Sequence, residues 1–101
     1  MFATDRTDSI NGMTLELTVN VWREGKSFVA HGLPLDVMSS GPTPQAAREA
    51  LDEAVRCFVA TAAEAGTLDQ VLEECGFEQR DGKWAGPDWI GVERHAVAVA
   101  G

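Results

Sequence analysis

Residues 13–66 read MTLELTVNVWREGKSFVAHGLPLDVMSSGPTPQAAREALDEAVRCFVATAAEAG, and their pattern decides the fold. From Leu15 the apolar residues alternate: Leu15, Leu17, Val19 and Val21 fall on one side, and Thr14, Glu16, Thr18 and Asn20 on the other. A period of two marks a strand with one buried face. Glu24-Gly25-Lys26 supplies a turn, 27–31 a second strand and 35–40 a third. Gly41-Pro42-Thr43-Pro44 then ends the sheet and starts a helix. Thr43 is suited to the N-cap, because its hydroxyl can accept from an amide that has no intrahelical partner. Pro44 suits the first helical position, where no backbone donor is required. Ala47, Leu51, Ala54, Val55, Phe58 and Ala62 recur at spacings of three and four and predict one apolar stripe. Arg48, Asp52 and Arg56 form i,i+4 pairs on the opposite face, and Gly66 supplies a left-handed cap.

Outward from this stretch the signals are shorter. Residues 1–12 are polar and aperiodic and predict a tail, which leaves 13–101 as a single domain. After Gly66, Thr67 and Gln70 have the spacing of a capping box. Leu68, Val71, Leu72 and Cys75 make the stripe of a short helix ended by Gly76, with Phe77 able to fold back on it. Asp81-Gly82 between 77–80 and Lys83-Trp84 predicts a hairpin. Residues 89–100 carry Val92, Val97 and Val99 and predict a last strand. Its stretch His95-Ala96-Val97-Ala98-Val99 is almost wholly apolar and calls for burial inside a sheet. The expected class is α+β: three strands, a long helix, a short helix and C-terminal strands, with the helices on one face of the sheet.

Val19-Asn20-Val21-Trp22-Arg23-Glu24-Gly25, Phe28-Val29-Ala30, Ser40-Gly41-Pro42-Thr43 and Thr43-Pro44-Gln45-Ala46-Ala47 followed by Leu51 and Val55 together resemble the HicB-like antitoxins of bacterial toxin–antitoxin systems. The likeness covers about half of the chain. Many members read Gly-x-Thr-x-x-Glu-Ala at the helix start. This chain keeps Gly41 and Thr43 but has Ala46-Ala47 there, and Leu35-Asp36-Val37 where many carry Pro-Gly-Cys. The resemblance implies a partial RNase H fold and a non-catalytic module that neutralises a small basic ribonuclease toxin (HicA-like). The family's usual C-terminal DNA-binding module has no counterpart here, since the chain after Phe77 lacks a helical pattern.

Charge points the same way. The 101 residues carry a formal net charge of −8. Nine acids lie in 45–81 (Glu49, Asp52, Glu53, Glu64, Asp69, Glu73, Glu74, Glu78 and Asp81) against Arg48, Arg56 and Arg80. Such a field repels phosphate backbones and attracts a basic partner, so no direct nucleic-acid binding is expected. No apolar run approaches the ~20 residues that span a bilayer, and the first residues lack a signal-peptide pattern, so a cytoplasmic protein is expected. Cys57 and Cys75 are read as reduced and structural.

Chemistry-bearing residues are few. Glu16, Asp36 and His31 are the components from which a hydrolase could be built, but no nucleophile motif, phosphate loop or zinc spacing accompanies them. No enzyme activity and no cofactor are expected. Partner binding is assigned to Trp84 and Trp89 as aromatic anchors and to Glu73 and Glu74 as charged contacts. An open sheet face further predicts a homodimer or higher homo-oligomer. The alternative function is a stand-alone homo-oligomeric structural or regulatory domain without a toxin.

Overall fold

The computed structural model describes residues 3–10 and 13–100, the first of these stretches by its backbone. The elements in order are β1 (Ala3–Ile10), β2 (Met13–Glu24), β3 (Ser27–Leu33), β4 (Val37–Gly41), α1 (Pro44–Glu64), α2 (Leu68–Cys75), β5 (Glu78–Arg80) and β6 (Lys83–Ala85). This is an α+β architecture: a mixed sheet in the order β4-β3-β2-β6-β5, with β1 added to β2. Neighbouring strands are antiparallel except β6, which runs parallel to β2.

The alternation in β2 is realised as read. Leu15, Leu17 and Val19 are buried, and Val21 packs partly buried against them. Across from them stand Ala47, Leu51, Val55 and Val59 of α1, with Leu72, Phe77 and Trp84 completing the core. Two expectations for α1 hold and one shifts. The Ala46 amide donates to Thr43 Oγ1 at 3.0 Å, and Pro44 occupies the first turn. The buried set, however, includes Val59 and leaves Phe58 36% exposed. Steps of four residues advance the stripe by about 40° each on a helix of 3.6 residues per turn, so 47-51-55-59 winds around α1 and Phe58 falls outside it. A twisted sheet presents such a winding surface to a helix laid across it.

Both helices end in the same hydrogen-bonded motif. The Gly66 amide donates to the Ala63 carbonyl and the Thr67 amide to that of Ala62; Gly76 donates to Glu73 and Phe77 to Leu72. Each motif places a glycine at positive φ, 73° and 105° respectively, where a side chain costs steric energy. The second brings Phe77 back over Leu72, and both are buried. The capping box foreseen at α2 does not form. Thr67 makes no side-chain cap; its hydroxyl instead reaches the Ala62 carbonyl at 3.5 Å, and Gln70 Nε2 donates to Glu74.

Two stretches depart from the sequence reading. Residues 1–12 were expected to be a tail, yet β1 pairs antiparallel with β2 from Ala3↔Asn20 to Ile10↔Met13. Met1, Phe2, Asn11 and Gly12 lie outside the described residues. At the other end, the strand expected over 89–100 is not formed. The register gives the reason. Thr18, Val19 and Asn20 pair with both β1 and β3, so those strands occupy opposite edges of β2. Leu15 and Glu16 pair with both β1 and β6, so β6 lies end to end with β3 on a single edge. Thr18 already pairs with Leu33, and Gly86 meets the chain turning out of β3: a Cβ on Gly86 would lie 2.6 Å from Pro34 Cδ. Strand β6 therefore stops at Ala85. Pro87, which lacks a backbone donor, leads the chain off the sheet, and residues 87–100 are exposed throughout.

Candidate functional site

The hairpin β5–β6 builds one wall of a polar cleft. Asp81 and Gly82 both take positive φ, 49° and 79°, as a two-residue turn between twisted strands requires. Parallel pairing of Leu15 with Trp84 turns Trp84 toward the core and leaves Lys83 on the opposite face, beside Glu16. Lys83 Nζ lies 2.6 Å from Glu16 Oε2. The Glu16 carboxylate, first by its hydrogen bond and then by its charge, holds the Lys83 ammonium above the ordinary lysine pKa; Asp81 adds to this, and partial desolvation opposes it. Arg80 bridges Glu78 at 3.2 Å and Asp88 at 3.7 Å. Thr18, Asp88 and Trp89 complete the walls of a cleft of about 240 Å³. Its cations and carboxylates are largely paired with one another. The cleft thus offers hydrogen-bonding polarity and one half-exposed indole, but no activated nucleophile.

A second cluster lies further along the sheet. Asn20 pairs with His31, four residues along β2 from Glu16, or about 13 Å at the strand rise. His31 Nε2 and Asp36 Oδ1 are 2.5 Å apart, and the Trp22 ring stands edge-on to His31 with centroids 6.1 Å apart. Asp36 reaches this position because its backbone takes φ 63° in the turn closed by its amide donating to the Gly32 carbonyl. The structure thus joins His31 to Asp36 and gives Glu16 to Lys83, so the three residues of the hydrolase reading do not converge. Among the described residues, no group of three or more His, Cys, Asp or Glu side chains could hold a metal ion.

The partner-binding residues also separate. Glu73 and Glu74 stand exposed on α2, and Trp89 is 42% exposed at the cleft. Trp84 is only 6% exposed and belongs to the core cluster. Its assignment as an anchor is corrected: a ring already enclosed by its own chain has no surface left for a partner. Eight of the nine acids in 45–81 are exposed and Asp52 is half-buried, so the helices and hairpin turn their negative charge outward.

A shallow apolar groove of about 400 Å³ runs between the helices, lined by Cys57, Phe58, Thr61, Ala65 and Val71. Cys57, read as structural, is an exposed free thiol, whereas Cys75 is half-buried. The sequence reading missed the Glu16–Lys83 pair, because only the register of two strands far apart in the chain creates it. No helix among the described residues is long and apolar enough to cross a membrane. No family model, curated protein or solved structure matches this chain.

Proposed function

We propose that this chain is a non-catalytic, cytoplasmic binding module of the HicB-like antitoxin kind, with a partial RNase H fold, and that it neutralises a small basic ribonuclease. The observation that carries the reading is the combination of order and charge. Four antiparallel strands, β1 to β4, lead through α1 and α2 to a hairpin whose second strand, β6, runs parallel with β2, and the helices and hairpin display their acids to solvent. A negative surface steers a basic partner, and such steering acts mainly on the association rate. Glu73 and Glu74 are the charged contacts and Trp89 the aromatic anchor. Toxin binding is the half of the family's role that the proposal takes up.

The test is co-expression with whatever small basic protein a neighbouring reading frame encodes, followed by binding kinetics and an RNA-cleavage assay. The complex should form and suppress cleavage. Glu73→Lys with Glu74→Lys should slow association by about tenfold at low salt, and the effect should fade as salt shortens the electrostatic range. Failure to form a complex sinks the antitoxin reading. Association indifferent to salt and to both substitutions reduces the acids to a solvating surface.

A second reading, a stand-alone homo-oligomeric domain, is favoured by one specific observation: the apolar C-terminal segment has no cover among the described residues. Val97 is 70% and Val99 86% exposed, and Ile90 is fully so.

A further inference from the structure

The segment Ala96-Val97-Ala98-Val99-Ala100 has the composition of a strand buried on both faces, and the structure leaves it bare. Its own sheet has no interior place for it, since both edges of β2 are taken by β1 on one side and by β3 and β6 on the other. Only outer edges remain, those of β1, β4 and β5. Natural sheets protect such edges with charge, proline or brevity. Strand β1 carries Asp5, Arg6 and Asp8, and β5 is the three residues Glu78, Gln79 and Arg80. Strand β4 has none of these defences. It reads Val37-Met38-Ser39-Ser40-Gly41, without a charge or a proline, and pairs only with β3 among the described strands. Its Met38 is 58% exposed. The five uncharged residues of this edge match the five uncharged residues of the segment. The chain's own β4 edge lies about two strand spacings, or about 10 Å, from Gly86, yet the segment does not take it.

We infer that residues 96–100 are a donor strand that pairs with the β4 edge of a second copy of this chain, reciprocally, to give a two-fold dimer. Main-chain hydrogen bonds supply the attachment, and the small Ala and Val side chains fit against Ser39, Ser40 and Met38. The inference deepens the homo-oligomeric reading and needs no toxin.

Light scattering of the full-length chain across the micromolar range should give twice the 10.8 kDa chain mass. Val97→Lys with Val99→Lys should weaken dimerisation by about a hundredfold while leaving the helical circular dichroism unchanged, because these positions lie outside the core. In a background of Cys57→Ser and Cys75→Ala, a mixture of one chain carrying Ser40→Cys and another carrying Val97→Cys should form a mixed disulfide on oxidation; either chain alone should not. A monomer at every concentration overturns both the donor strand and the homo-oligomer. A dimer that survives the lysine substitutions keeps the homo-oligomer and removes the donor strand. A disulfide formed only within a chain carrying both cysteines shows a self-clasp and also overturns the inference.

Discussion

Strand β2 and the segment after Gly86 are both rich in valine, and they end in opposite conditions. In β2 Leu15, Leu17 and Val19 are sealed in the core they share with α1, whereas 87–100 is exposed along its whole length. The difference does not lie in composition. Strand β2 is flanked on both edges and covered on one face, while the C-terminal segment reaches the sheet where the edge it would follow is already paired with β3. A strand is a relation between segments, and apolar alternation supplies only one side of it.

The two tryptophans that straddle the boundary give the sharpest contrast. Trp84→Ala should cost about 3–5 kcal/mol, as for a large ring removed from a core, measured by urea unfolding. Trp89→Ala should cost less than about 1 kcal/mol, with its effect appearing instead as faster dissociation of a bound partner. Equal destabilisation by the two would break the contrast and place Trp89 in the folding unit.

Gly86→Ala tests the boundary itself. The added methyl would press on the Pro34 ring, and the expected loss is about 1–3 kcal/mol as for an overpacked contact. A neutral result would mean that the end of β6 yields freely and that β3 does not set its length.

The smallest effect concerns the Glu16–Lys83 pair. Its partner raises the Lys83 pKa in the folded chain, so its contribution to stability is fully present below the unfolded lysine pKa of about 10.4. It is lost as pH rises through the higher folded value. Glu16→Gln should therefore remove a decline in stability confined to that alkaline window. An alkaline profile identical in the two proteins would show that the pair contributes nothing to folding.

Legibility followed locality. Thr43, Pro44 and the Asp81-Gly82 turn act within four residues, and each was readable from its neighbours. The α1 stripe was readable in position but not in its winding, which the twist of the sheet imposes and which exchanged Phe58 for Val59. Strand β1 was missed because its residues are polar, though Asn11-Gly12 stands between the paired residues Ile10 and Met13 and is a strong hairpin signal. The core place of Trp84 and the Glu16–Lys83 pair depend on the β2–β6 register, which no local pattern encodes. The His31–Asp36 contact was half visible: both residues stood out, but the left-handed turn that joins them did not.

The end-to-end meeting of β3 and β6 also fixes position along the sheet. Sliding β6 forward by one residue would drive Gly86 into Pro34, and sliding it back would take Trp84 out of its pairing with Leu15. Either slip would also turn Trp84 from the core into solvent, because side chains alternate faces. A tug on the C-terminal segment along β2 therefore meets a hard stop instead of a sliding seam, and the outermost piece of the chain can be held by something else without shifting the register of the sheet behind it.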